Sequence, residues 1–381
     1  MLAPSLSLNE YQSRAAMTDQ ITYKHRDHAP LVLGLCGEIG SLLSETKKKQ
    51  RDADSYIGYE NNVLEETGDA LWYLAVIAER EDIRLASLAA GAGFDFSDAT
   101  FRELQPQAIL PLNAPSVAFE KTLLRLAGAV GRLAETASDR TSHPTIVAQL
   151  QGVFKLLLDA ANEAGITLAD AALLNLDKAN DRWPQARVLP PLFDESFPTE
   201  ERLPRRLTVD IFERTGGNGK NYVVQRCNNL FIGDRLTDNI MKPDDYRFHD
   251  AFHYAYAAIL GWSPVTRALF KLKRKSETNI DEGQDGARAI LIEEGVATYV
   301  FGQAKELKFF EGRRSGDLGF TFLKSIRQFV RGYEVESCPL WLWEEAILAG
   351  NEAFRFLRTH RRGRLKLDLD RRRLDVCELV I

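Results

Sequence analysis

The chain has 381 residues, 45% hydrophobic and 27% charged, with a formal net charge of −5. That is enough for two or three domains with ample core, and the balance is ordinary for a globular protein, its mild negative charge naming no partner. The longest uninterrupted apolar run, ALWYLAVIA (70–78), is too short to cross a bilayer; no basic-then-apolar leader opens the sequence; and four scattered cysteines (Cys36, Cys227, Cys338, Cys377) without a C-x-x-C give neither a zinc knuckle nor a disulfide framework, so a reduced cytoplasmic setting away from membranes is expected.

Apolar residues recurring three and four apart predict helices over LVLGLCGEIGSLLSETKKK (31–49) and NNVLEETGDALWYLAVIAE (62–79). Glu66 and Asp69, three apart, share a helical face that continues through Tyr73. Glu38 sits among Leu33, Leu35, Ile39 and Leu42, where a carboxylate is costly unless its charge is compensated. Converging carboxylates from two packed helices suit a hard cation such as Mg²⁺, which takes oxygen ligands and binds phosphates; salt-bridged or solvated acids are the plainer alternative. The Gly- and Pro-containing stretch 91–116 reads as a linker. Beyond it, RLAGAVGRLAET (125–136) echoes GLCGEIGSLLSE (34–45), with Gly128 and Gly131 in the places of Gly37 and Gly40. Two helical hairpins folded against each other as a pseudo-dimer, with a site inside a four-helix-type bundle, are therefore expected. The second copy lacks the acids: Ala129 stands for Glu38 and Arg132 for Ser41. It offers cations instead, at Arg125, Arg132, Lys155, Lys178 and Arg182, of which Lys178 and Arg182 lie with Asn175 on one helical stripe.

Five prolines in 184–206 mark a domain boundary, which places a helical domain at 1–184, a linker at 185–204 and a second domain at 205–381. The second domain opens with short strands, VDIFER and YVVQR, around TGGNGK (215–220). That turn lacks the G-x-x-x-x-G-K-[ST] of a phosphate loop and reads as a hairpin. In YRFHDAFHYAYAAILGWSP (246–264), His249 and His253 project to one side of a helix, a spacing used for metals. Glu293 or Glu294 would be a third ligand, with Asp250 where a zinc hydrolase of the H-E-x-x-H pattern carries its catalytic Glu; hydrogen-bonded core histidines are the other reading. Trp341 and Trp343 read as core anchors, and the tail from Arg361 as a strand or hairpin. The arginines of that tail form a basic patch, but the interleaved acids and the net charge argue against nucleic acid. The fold expected is mainly α: an N-terminal helical bundle and a C-terminal α-rich domain with a few short strands.

NEYQSRAAMT, LGLCGEIGSLLSETKK and LEETGDALWYLA together resemble the MazG-like, all-α nucleoside triphosphate pyrophosphohydrolases over residues 8–184, repeat one spanning about 8–90 and a degenerate repeat two about 117–184. The family pattern is a helix with Glu-x-x-Glu, then one with Glu-x-x-Asp. The second fits at Glu66 and Asp69; the first fits only at Glu38, since Ser41 stands at its partner position. The resemblance implies Mg²⁺, with Mn²⁺ as an alternate ion, held by Glu38, Glu66 and Asp69, and hydrolysis of a nucleoside or deoxynucleoside triphosphate to monophosphate and pyrophosphate. It implies substrate contacts from Lys47, Lys48, Tyr73, Lys178 and Arg182, and an outer-shell or base role for Glu65 or Glu45. The ending ITLADAALLNLDKANDRWP resembles the closing helix of the same family. Ser41 opens a second reading, a nucleotide-sensing module that regulates the C-terminal domain, itself a His-x-x-x-His zinc-dependent hydrolase built on His249, His253 and Glu294. Residues 205–381 resemble the C-terminal region sometimes joined to MazG-like domains. Related bundles assemble as dimers or tetramers; with an internal duplication, a monomer and a homodimer are both expected to work.

Overall fold

The computed structural model describes residues 6–21, 28–93, 99–106, 113–137 and 143–379. It divides into two compact units, Met1–Ala186 and Arg187–Ile381. The described residues are mostly helical, with one five-stranded sheet in the second unit. Among them, no helix is long and apolar enough to cross a membrane.

The first unit comprises α1 (Leu8–Ala16), α2 (Ala29–Asp52), α3 (Tyr59–Arg80), the short α4 (Leu85–Leu88) and α5 (Phe101–Leu104), then α6 (Val117–Ala137), α7 (His143–Ala164) and α8 (Leu168–Arg182). Both acidic helices run longer than their apolar periodicity. Pro30 is tolerated in the first turn of α2, where its missing N–H has no intrahelical partner. Gly58, in the left-handed region at φ 88°, sets the start of α3. α2 and α3 pack as one hairpin and α6 and α7 as another, with α2 against α6 and α3 against α8. Leu35, Ile39 and Leu42 of α2, Leu71 and Leu74 of α3, and Leu126 and Val130 of α6 belong to one continuous core. Each buried aliphatic side chain there contributes roughly 1.5–3 kcal/mol of transfer free energy. The stretch expected as a linker at 91–116 is partly folded: Thr100 and Glu103 form a capping box at α5, and Phe101 meets Tyr11 edge to face at 5.6 Å. Of the rest of that stretch, 94–98 and 107–112 lie outside the described residues.

In the second unit, β1 (Arg206–Thr215), β2 (Asn221–Cys227), β3 (Leu230–Leu236), β4 (Arg362–Asp368) and β5 (Arg373–Cys377) form an antiparallel sheet in the order β3-β2-β1-β4-β5. TGGNGK joins β1 to β2. β3, not anticipated from the sequence, follows a tight turn in which Asn228 and Asn229 take φ of 48° and 64°, the conformation a two-residue hairpin requires. The C-terminal tail returns as β4 and β5; β4 pairs with β1 through Val209↔Leu365 and Leu207↔Leu367. The helices are α9 (Asp250–Ala255), α10 (Pro264–Phe270), α11 (Thr278–Gly283), α12 (Ala287–Glu306), α13 (Phe320–Phe329) and α14 (Leu340–His360). Trp341 and Trp343 are buried in this unit's core. Residues 187–204 are not the free linker that their prolines predict. Leu192 and Leu203 are buried, and Asp194, 1% exposed, takes a guanidinium N–H of Arg267 at 2.7 Å.

Candidate functional site

α2 and α3 deliver Glu38, Glu66 and Asp69 to one place: one oxygen from each lies within 4.8 Å of the others. Two glycines allow the helices to come this close. A Cβ on Gly34 would fall 2.2 Å from the ring of Tyr73, and one on Gly68 would fall 2.5 Å from the carbonyl oxygen of Ala171. The first contact lays Tyr73 across α2 one turn from Glu38; the second seats α8 on α3. From α8, Asn175 donates to Asp69 Oδ1 at 2.9 Å while accepting from the buried Tyr11 hydroxyl at 3.2 Å. Lys178 bonds both Asp69 and Glu65, the latter at 2.9 Å.

The electrostatics of this cluster are unbalanced. Burial, the hydrogen bond with Glu66 and the charges of Asp69 and Glu66 push Glu38 up to about 8, against the opposing pull of Lys178. Burial also raises Glu66, helped by the charges of Asp69 and Glu65. Tyr73 is raised by burial and then by Glu38 and Asp69. The ammonium of Lys178, already shared with Glu65, does not by itself neutralise three converging carboxylates.

Other candidates fall elsewhere. Lys48 is turned to Glu45 at 2.6 Å and, ten residues beyond Glu38, lies about 15 Å along the helix; Lys47 is exposed on the same last turns. A charge run at a helix end carries no information about register, so the acids meet Lys178 instead. Arg182 is buried with its guanidinium 4.8 Å over the ring of Trp183. Arg125, Arg132 and Lys155 are exposed, and Lys155 pairs with Asp159. Glu45 also bonds Asn62, at 3.2 Å. Tyr11, Gly34 and Gly68 escaped the sequence reading, since their roles depend on which helices meet.

The second unit holds another cluster. His249, Asp250 and His253 bring ligand atoms within 4.8 Å of one another, all three side chains buried. Of the adjacent glutamates Glu293 and Glu294 on α12, Glu294 faces both imidazoles, its Oε2 3.6 Å from His249 Nε2 and 3.5 Å from His253 Nε2. Glu293 is fully buried and engages His253 Nδ1 at 2.8 Å. Burial raises Glu294, but the imidazoles override it and hold its carboxyl well below the usual range. A groove of about 1180 Å³ in this unit includes none of these groups; of its lining cations, Lys305 pairs with Asp244 and both Arg358 and Arg361 with Asp245.

Comparison with known proteins places residues 188–380, just over half of the chain, within the family model described as the MazG C-terminal domain. The Gene 37 protein of Mycobacterium phage L5 is 37% identical over 60 residues, which is 15% of this chain and 53% of that protein. The chain thus spans about half the length of that relative. No solved structure matches.

Proposed function

We propose, from the premise that the chain belongs to the family defined by the MazG C-terminal domain, that it is a divalent-cation-dependent nucleotide pyrophosphohydrolase. Its substrate class is a nucleoside or deoxynucleoside triphosphate, and its products are the monophosphate and pyrophosphate. The observation that carries this reading is the convergence of Glu38, Glu66 and Asp69 in a bundle whose helices bear the MazG-like pattern. The donor set is all oxygen and short of positive charge, and a proton held on Glu38 up to about pH 8 marks where a hard dication would compete. Glu38, Glu66 and Asp69 would hold Mg²⁺ or Mn²⁺, which when bound would supply charge neutralisation on the phosphates and a more acidic water.

The chain's own groups have separable tasks in this reading. Asn175 and Lys178 keep Asp69 aimed at the cluster, and Lys178 is the cation placed to meet phosphate oxygens. Glu65, beside Glu66 and bonded to Lys178, is better placed than Glu45 to accept a proton from the attacking water, because Glu45 is seven residues and about 10 Å along the helix from Glu38. Ser41, where the family pattern has an acid, favours a second reading, a weakened site kept for nucleotide sensing.

The test is turnover of the common (d)NTPs by the full chain with Mg²⁺ or Mn²⁺, products being identified by mass. Equal amounts of monophosphate and pyrophosphate are expected, and their loss in Glu66→Ala and Asp69→Ala. Nucleotide binding with no turnover of any triphosphate would overturn the enzyme and leave the sensor.

A further inference from the structure

We propose that His249, Asp250, His253 and Glu294 form a mononuclear site for a divalent transition metal of the zinc class, independent of the nucleotide chemistry of the first unit. Hydrogen bonds at the two Nδ1 atoms set the tautomers of the neutral imidazoles. His249 Nδ1 lies 2.9 Å from the carbonyl oxygen of Tyr246, which accepts only; Nδ1 therefore carries the hydrogen and Nε2 presents a lone pair. His253 Nδ1 lies 2.8 Å from Glu293 Oε1. That carboxylate also accepts from the Ser263 hydroxyl at 2.6 Å and from the Val265 amide at 2.8 Å, so it is held as an acceptor facing an N–H. In the neutral imidazole His253 Nε2 is then left bare too, although Glu293 and Glu294 favour the imidazolium despite burial. It belongs to a side chain that is 2% exposed, and no partner lies within good hydrogen-bond geometry, its nearest carboxylate oxygen being Glu294 Oε2 at 3.5 Å, a state that buried polar atoms rarely tolerate.

The two bare nitrogens face carboxylate oxygens at separations too long for good hydrogen bonds. His249 Nε2 is 3.4 Å from Asp250 Oδ1 and 3.6 Å from Glu294 Oε2, and His253 Nε2 is 3.5 Å from the same Oε2. Four ligands at about 2.1 Å from a tetrahedral zinc ion are about 3.4 Å from one another, whereas octahedral neighbours at that bond length are about 3.0 Å apart. These three of the six separations match tetrahedral edges, and Glu294, on the open side, is the ligand that would have to move in to complete the set. Two neutral imidazoles and two carboxylates carry the charge that a dication balances, and this N/O set suits zinc and its neighbours in the first transition row.

The outer shell is built as such a site needs. Glu293 orients His253 in a carboxylate–histidine arrangement. Gln225 of β2 donates to Asp250 Oδ2 and accepts from the Tyr254 hydroxyl. Tyr246 stacks on His249 with ring centroids 4.2 Å apart and 4° between planes. Directly after α9, residues Tyr256–Leu260 open into π-helical geometry, which is frequent where a helix presents a functional group. Access is from the side of Glu294, whose side chain is 39% exposed. A proton on His253, shared between Glu293 and Glu294, is the competing occupant.

The experiment loads the full chain, purified without a metal-affinity tag, with zinc or with cobalt(II), dialyses it exhaustively and measures bound metal and the visible spectrum. About one equivalent of zinc resistant to dialysis is expected, together with the intense visible bands of four-coordinate cobalt(II). His249→Ala and Glu294→Gln should each lower zinc affinity more than about tenfold, Glu294→Gln keeping the fold because it lies at the open side. Asp69→Asn, which disables the first unit's acids, should leave the zinc in place. The proposal is overturned if folded wild-type protein keeps no zinc after dialysis. It is overturned equally if zinc survives unchanged in both His249→Ala and Glu294→Gln, or if it leaves with Asp69→Asn.

Discussion

The two units solve one problem in opposite ways. Each gathers carboxylates from packed helices into a partly buried cluster. In the first unit, three acids gather beside the ammonium of Lys178, and among the described residues the acids respond by holding protons: Glu38 is raised to about 8 and Glu66 is raised as well. In the second, Glu293 and Glu294 flank two imidazoles, Glu293 takes two further donors, and Glu294 is held far below the usual carboxylate range. A cluster of carboxylates alone suits a hard dication; one lined with imidazoles suits a metal that prefers nitrogen, with a proton on His253 as its competitor.

Removing an acid should therefore have opposite consequences for stability in the two places. Glu66→Gln and Asp69→Asn are expected to lower triphosphate hydrolysis by more than about 100-fold, beyond the range typical of outer-shell changes. Glu66→Gln should at the same time raise the melting temperature of the metal-free first unit, since a like charge is gone. Glu293→Ala strands His253 Nδ1, the Ser263 hydroxyl and the Val265 amide inside the second unit. About 3–5 kcal/mol of destabilisation is expected there, the range for breaking a buried pair. Thermal unfolding followed by hydrogen exchange, resolved by peptide, reads the units separately. A loss of stability on Glu66→Gln equal to that on Glu293→Ala would erase the distinction.

A pH series sharpens the same contrast with smaller effects. Glu38 loses its proton at about 4.5 in an unfolded chain and at about 8 in the folded one. As pH rises between those values, the folded state holds a proton that the unfolded state has released, so the metal-free first unit should weaken steadily from about pH 4.5 to 8. Saturating Mg²⁺ should flatten that slope. In the second unit Asp194 runs the other way: burial raises it, but Arg267, the Leu203 amide and Arg205 together hold it below its ordinary value of 3.8. Its contribution is fully present above that value and is lost as pH falls through the lower folded pKa. Exchange protection at pH 5, 6.5 and 8 in chelator should fall with pH in the first unit's acidic helices, while that around Asp194 stays level. A parallel response of the two would count against the assignment.

What the sequence discloses follows the range of the interactions. Glu66 and Asp69 share a face by spacing alone, and the apolar periodicities of α2 and α3 are local, so both are legible without a structure. Asn175 and Lys178 can be placed on one stripe of a helix, but their partner cannot be named until Gly68 lets α8 settle on α3. The Lys47–Lys49 run reads as a phosphate contact or as an answer to the helix dipole; Lys48, about 15 Å along α2 from Glu38, turns to Glu45. Prolines at 190, 191 and 198 suggested a free linker; they permit a segment whose Asp194 meets Arg267 across 73 residues. The fully buried Arg274, bonded to Asp285 and Glu334, is invisible for the same reason. The histidine motif puts Asp250 where a zinc hydrolase carries its catalytic Glu; its Oδ1, 3.4 Å from His249 Nε2, is what lets it be proposed as a ligand instead.

The smallest difference concerns two glycines at helix crossings. At Gly34, an added Cβ would sit 2.2 Å from Tyr73 Cε1 and Cζ, far inside any tolerable contact. The ring fills the space between α2 and α3, so Gly34→Ala must displace it or part the helices, and overpacking of this kind costs roughly 1–3 kcal/mol. At Gly350 on α14, the same methyl would meet Ala255 Cβ and Phe252 Cδ1 at 3.2 Å, which a shift of a few tenths of an ångström relieves. The better helix propensity of alanine, up to about 1 kcal/mol, offsets that shift. Gly34→Ala is therefore expected to lower both the stability of the first unit and its turnover, because Tyr73 leaves its place beside Glu38 and Asp69. Gly350→Ala should change the second unit's melting by less than about 1 kcal/mol. If Gly34→Ala keeps full turnover and its melting point, Tyr73 does not wedge the acidic helices together, and the crossing that brings Glu38 to Glu66 must be held by the aliphatic core alone.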